Sequence, residues 1–140
     1  MPTPRVAERL GYLLKHAQLR HSELIAAAMH PLGITGRQCA VLIAIDDHEP
    51  QSQQDVARRL DLDRTTMVAL IDELEGKALV SRSPAPDDRR KNVVVLTARG
   101  RATLAAALAA TAEAETDFLA SLSPAEAETF RRLLTAVVGI

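Results

Sequence analysis

The chain has 140 residues, 47% of them hydrophobic and 25% charged, a globular composition that excludes a disordered tail and a membrane protein. No run approaches the roughly 20 apolar residues of a bilayer span, and the start MPTPRVAERL lacks the apolar segment of a signal peptide, so a cytoplasmic location is expected. A single cysteine, Cys39, excludes an intramolecular disulfide and a thiolate-rich metal site, and leaves the fold to rest on packing.

The length suits one folding unit, residues 1–140. With no Trp, one Tyr and two Phe, the apolar residues are mostly Ala, Leu and Val, which favours closely packed helices. The net charge is −1, so any nucleic-acid surface must be local. Residues 52–101 hold ten Lys/Arg and eight Asp/Glu, leaving seven basic and ten acidic residues elsewhere. Within that segment Arg82, Arg89, Arg90, Lys91, Arg99 and Arg101 face only Asp87 and Asp88, an excess suited to phosphates.

Val6, Leu10, Leu13, Ala17, Leu24 and Ala28 recur at helical spacing and predict a long first helix, ended by Pro31 and Gly33. Thr35-Gly-Arg-Gln38 has the spacing of a capping box and opens a second helix reaching about Asp46. His48 to Ser52 reads as a loop. Ser52, supported by Asp55, caps a short helix ending near Leu60; Asp61 suits a sharp left-handed turn, and Asp63 caps the next helix, Arg64 to about Lys77. Two short β-branched runs, Leu79–Arg82 and Asn92–Thr97, flank a charged loop with two prolines and predict a two-stranded hairpin. Thr97 caps a helix reaching about Ala120, and Ser123-Pro-Ala-Glu126 opens an amphipathic last helix.

Two short helices joined by a tight turn, the second with a slim polar front, form the arrangement that seats a recognition helix in the major groove. That groove is about 12 Å wide, and Thr65, Thr66, Val68 and Ala69 are slim. A hairpin directly after such a helix is a wing, whose tip residues Arg89, Arg90 and Lys91 suit phosphates or a narrow minor groove. Arg64 belongs with the contacts of the recognition helix. Gln53 and Gln54 either donate to phosphates or fill the first turn of the preceding helix.

The segment SQQDVARRLDLDRTTMVALIDELEGKALVSR resembles the helix-turn-helix of the MarR family, and Asp88, Arg90, Val94, Leu96 and Thr97 match its wing pattern D-x-R-x-x-x-V-x-L-T. The resemblance implies a mainly α fold with a small β-hairpin wing: a winged helix-turn-helix region, about 35–97, flanked by dimerisation helices, about 1–34 and 98–140. It also implies that Arg90 enters the minor groove, oriented by Asp88. Ala69 and Glu73 stand where basic residues are common in the family, and Ala78 where glycine is frequent.

These readings predict a homodimeric repressor on a palindromic operator, with half-sites about 10 base pairs apart. In relatives of this family a small-molecule pocket lies between the first two helices and the DNA-binding region and takes phenolic or aromatic carboxylates. The corresponding residues here are Arg20 for a carboxylate, His16 or His21 for a hydroxyl, and Arg37; their ordinary role would be hydrogen bonding across the dimer. Cys39 reads as a buried, inert thiol. His30, Cys39 and His48 are too scattered for a metal site, no cofactor is expected, and no nucleophile, base and orienter suggest an enzyme. The alternative to DNA binding is a protein-interaction module, favoured by Ala69 and Glu73.

Overall fold

Side-chain caps set most of the element boundaries in the computed structural model, which describes residues 1–47 and 51–140. Its elements are α1 (Pro4–Ala7), α2 (Leu10–Met29), a 3₁₀ turn (His30–Leu32), α3 (Gly36–Asp47), β1 (Gln51–Ser52), α4 (Gln53–Arg59) and α5 (Arg64–Gly76), then β2 (Val80–Pro84), β3 (Asn92–Leu96), α6 (Ala98–Phe118) and α7 (Pro124–Val138). The Thr35–Gln38 capping box is closed in both directions: the Gln38 N–H donates to Thr35 Oγ1 at 3.1 Å and the Thr35 N–H to Gln38 Oε1 at 3.2 Å. Ser52, Asp63, Thr97 and Ser123 cap α4, α5, α6 and α7 as their positions predict, and Ser123 and Glu126 form a second closed box.

Two expectations are corrected. The long first helix is broken after Ala7, where Arg9 is extended (ψ 132°), although neither Pro nor Gly stands at the break. The hairpin gains a third strand: Gln51 and Ser52, read as loop, pair with Val94 and Val93, so the antiparallel order is β1-β3-β2 with β3 in the centre. Two polar residues carry no alternation, and their pairing depends on a partner some forty positions away. The rest of that expected loop, residues 48–50, lies outside the described residues.

α4 and α5 both end in a double-bonded reversal. After α4, the Leu62 N–H donates to the Ala57 carbonyl and Asp61 N–H to that of Arg58; after α5, Leu79 donates to Leu74 and Ala78 to Glu75. Each reversal needs one left-handed residue, usually glycine, and here they are Asp61 (φ 53°) and Ala78 (φ 59°). Aspartate tolerates that region through its short polar side chain; alanine has no such compensation.

The core lies between α3, α5 and β3, where Leu42, Ile45, Ile71, Leu74 and Val94 are fully buried, and Met29 closes it from the end of α2. α6 joins through Leu104 and Ala107 and runs along α2. Its first turn crosses the backbone just before β2 so closely that a Cβ at Gly100 would land on the Leu79 carbonyl oxygen. By contrast α7 buries none of its residues.

Two substitutions test these backbone constraints in urea unfolding. Ala78→Gly is expected to raise stability by about 1 kcal/mol by relieving the left-handed alanine, and Gly100→Ala to lower it by about 3 kcal/mol because backbone must move.

Candidate nucleic-acid interface

Asp63 starts the recognition helix. Its Oδ1 accepts the Thr66 N–H at 2.7 Å, which satisfies a free helix donor and leaves the exposed Arg64 and Thr65 at the leading tip of α5. Thr66 and Val68 are half-buried and Ala69 exposed, while Met67, Leu70, Ile71 and Leu74 face the core. The slim front expected of this helix is therefore the side turned outward. Ser52 does the same for α4: the Asp55 N–H donates to its Oγ at 3.2 Å, and its hydroxyl donates to Asp55 Oδ2 at 2.8 Å.

Backbone pairing and an aspartate shape the wing. The Ala85 N–H donates to the Lys91 carbonyl at 2.8 Å, extending the β2–β3 ladder, and the Lys91 N–H donates to that of Asp88 at 3.0 Å. Asp88 Oδ1 accepts the Arg90 N–H at 3.0 Å and lies 3.6 Å from Arg90 Nε, while the Arg90 side chain is 95% exposed. Asp88 thus fixes the backbone from which the Arg90 side chain projects.

Between the tips of α4 and α5 and the base of the wing lies an open groove of about 370 Å³. Arg58, Arg64, Arg90 and Lys91 line it together with Gln53 and Gln54, and no carboxylate does. Arg58 is paired with Asp55 at 2.9 Å; among the described residues Arg64, Arg89 and Lys91 enter no ion pair. The arrangement is a ridge and a wing flanking a cationic trough, suited to a polyanion.

Arg82 does not join this cationic surface. Its side chain is only 20% exposed and bridges Asp72 at 2.7 Å and Glu75 at 3.3 Å, so its charge is spent inside the protein. Glu73, a departure on the recognition helix, is exposed but also has a partner within the chain: its Oε2 accepts the Gln38 amide at 2.7 Å. Gln38, 3% exposed, is held further by Lys77, whose Nζ donates to Gln38 Oε1 at 2.8 Å and to the Gly33 carbonyl at 2.7 Å. Sequence reading missed both networks because their partners lie between 7 and 44 positions apart.

The four residues read as ligand-binding are dispersed. His21 lies 3.9 Å from Glu115 and meets Phe118 edge-on, and Arg20 sits over the same ring at 5.8 Å. His16 is exposed and stacks on Tyr12, and Arg37 is exposed on the first turn of α3, where its charge reaches Asp63. An apolar groove of about 520 Å³ runs between α2, α6 and α7, lined by Leu10, Leu14, His21, Phe118, Phe130 and Leu134 among others. Of the four candidates only His21 lines it. Burial pushes the Cys39 thiol up, away from the reactive thiolate. Among the described residues no three His, Cys, Asp or Glu side chains are grouped to hold a metal ion, and no helix is long and apolar enough to cross a membrane.

A helix-turn-helix with its recognition helix outward, followed by an antiparallel wing, defines a winged helix-turn-helix protein. A family model described as the MarR family matches residues 32–91. The solved structure of a repressor named CouR, bound to a 23-mer DNA duplex, superposes with a TM-score of 0.90 at 33% identity, covering 99% of this chain and 98% of that one. The chain belongs to the MarR family. BpsR of Bordetella bronchiseptica, whose DNA binding is regulated by 6-hydroxynicotinic acid, superposes with a TM-score of 0.83 at 29% identity over 96% of each chain. The transcriptional repressor NicR of Pseudomonas putida is 35% identical over 99 residues, which span 71% of this chain and 63% of NicR.

The helix caps carry a pH dependence. The Thr66 N–H lowers the Asp63 carboxyl below the ordinary aspartate range, and the Ser52 hydroxyl does so for Asp55. Both groups bind their protons more weakly folded than unfolded, so their stabilisation is complete above the ordinary pKa of about 3.9 and is lost as pH falls through the lowered values. Asp63→Ala is expected to lower the Tm at pH 7, with the gap to the parent protein narrowing in melts taken below about pH 3.

Proposed function

We propose that this chain is a cytoplasmic homodimeric repressor that binds a palindromic DNA operator and is released by a small aromatic or phenolic carboxylate. The observation that carries the reading is the cationic groove between α4, α5 and the wing. In it the α5 tip, with Arg64, Thr65, Thr66 and Val68, enters the major groove, while Arg90 reaches the flanking minor groove. Gln53, Gln54, Arg89 and Lys91 hold phosphates. CouR, similar over nearly the whole chain, is a repressor seen on duplex DNA, which supports the assignment.

Dimerisation is supported by what the single chain leaves uncovered. Val137 is 80% exposed, Val138 67%, Ile140 91% and Leu10 71%. The amphipathic α7 is made to bury one side. In this proposal residues 1–34 and 98–140 form the dimer and residues 35–97 read DNA. Half-sites then lie about one helical turn apart.

The ligand reading rests on Arg20 and His21, which share Phe118 at the edge of the apolar groove. There an aromatic ring finds apolar walls and a carboxylate finds a guanidinium. The regulation of BpsR by a hydroxylated aromatic acid supports this chemical class. His16 and Arg37 belong to the proposed set more loosely, one on Tyr12 and the other on α3. The interaction-module reading rests on Ala69 and Glu73, and of these the Glu73 carboxylate already has a partner within the chain, the Gln38 amide.

Binding to the DNA upstream of its own gene, titrated at several salt concentrations with and without aromatic carboxylates, tests the proposal. If Arg64, Arg89, Arg90 and Lys91 of both protomers, whether on phosphates or in a groove, each displace one condensed counterion, log K falls with log salt at a slope of about −7. Arg90→Ala should weaken operator binding about tenfold or more with the dimer intact in sedimentation. A salt-insensitive association, or none selective for sequence, would remove the DNA reading.

A further inference from the structure

Arg82 stands in the middle of β2, paired with Val94 of β3, and its guanidinium gathers acceptors from two other elements. Nε donates to Gln53 Oε1 at 3.2 Å, one terminal nitrogen to Glu75 at 3.3 Å, and the other to Asp72 at 2.7 Å and the Val68 carbonyl at 3.5 Å. Val68, Asp72 and Glu75 follow at spacings of four and three, so they form one stripe along α5. Gln53 is the first residue of α4, and Arg82 itself belongs to the strand that leads into the wing. One rigid planar cation on a wing strand therefore ties α4 to α5, the two helices that border the groove.

The chemistry of that cation also fixes Gln53. A guanidinium has donors only, so the amide must turn its carbonyl oxygen toward Arg82 and its NH₂ away from it. Gln53 lines the groove, and the NH₂ is the end left to serve there. With two carboxylates already on it, Arg82 has no net charge to offer a phosphate.

We propose that Arg82 is a positioning residue, holding α4, α5 and the wing in one reading geometry and setting the Gln53 amide as a hydrogen-bond donor toward a DNA phosphate. This rests on the DNA-binding reading above. It assigns Gln53 a donor role that sequence spacing left open. It also separates Arg82 from the cations that touch DNA.

The test compares affinities for the operator and for a scrambled duplex. Arg82→Met should lower the ratio of the two about tenfold through the lost reading geometry, while binding to the scrambled duplex falls only by the severalfold cost of the Gln53–phosphate contact and keeps its salt slope. Asp72 and Glu75 are 60% and 46% exposed, so both stay solvated without their partner. Arg82→Lys, a point charge without the planar fork, should behave nearly as Arg82→Met does. Gln53→Ala should cost severalfold alone and nothing more in the Arg82→Met background.

Additive losses or an unchanged ratio would overturn the positioning role, and a shallower salt slope would make Arg82 a direct phosphate contact instead. Gln53→Glu is a second route that does not depend on removing Arg82. It keeps the acceptor for Arg82 but has no donor, so the Tm should hold while operator affinity falls; parent-like affinity would sink the Gln53 assignment. If the parent protein shows no sequence-selective binding, the DNA reading fails with it. Selective binding by the parent with an intact ratio in Arg82→Met removes only the role of Arg82.

Discussion

The passage of α6 over the backbone at Leu79 is the constraint on which the remaining geometry depends. Three features meet there. α5 ends in a reversal that forces Ala78 into the left-handed region. The Thr97 N–H donates to the Leu79 carbonyl at 3.1 Å and its hydroxyl to that of Ala78 at 2.7 Å. Gly100 then lets the first turn of α6 lie against that same peptide. The end of the recognition helix and the start of the long outer helix are thus bonded through consecutive carbonyls, with no flexible linker between them. A displacement of α6 is carried to α5 as a rigid-body movement, because packed backbone of this kind shifts between discrete arrangements and does not stretch. In the proposed dimer, this is how an event between the outer helices changes the spacing of the two recognition helices.

A second consequence concerns charge. A chain of net charge −1 presents a cationic trough because its nearby acids are used within the protein. Asp55 accepts the Ser52 hydroxyl and pairs with Arg58, Asp63 caps α5, Asp72 and Glu75 hold Arg82, Glu73 takes the Gln38 amide, and Asp88 closes the wing turn. Of the acids in residues 52–101, all but Asp61 and Asp87 are placed in this way. The balance of +2 in that segment therefore understates the field at the groove. Where the acidic partners point decides the local potential, and the count of charges does not.

Legibility in the sequence followed the range of the interaction. Each helix cap from Thr35 to Ser123 was readable because donor and acceptor lie three residues apart. The core face of α5 was readable for the same reason, since Met67, Leu70, Ile71 and Leu74 repeat at helical spacing. What escaped was non-local. β1 exists only because β3 pairs with it. Arg82 looked like a surface cation because its carboxylates lie on another element, and Glu73 looked like a lost contact because Gln38 stands 35 positions earlier. The break after α1 has no local signal: Arg9 acts as N-cap without a side-chain bond.

The distribution of the core also separates the two ends of the molecule. Most fully buried side chains belong to the winged region and to Met29, so that part carries its own hydrophobic stabilisation. α2 and α7 keep Leu10, Leu13, Leu133 and Val137 more than half exposed, and α7 meets α6 through Phe130 and Leu134 beside Phe118 and, among the described residues, one ion pair, Arg131 with Glu115 at 2.6 Å. An exposed pair of that kind contributes about 0–1 kcal/mol, too little to seat a 15-residue helix against its entropy of ordering. In the proposed dimer, apolar surface supplied by a second copy seats α7. Under the proposed dimer the outer helices and the subunit interface form together, and their stability depends on protomer concentration while that of the winged core does so far less.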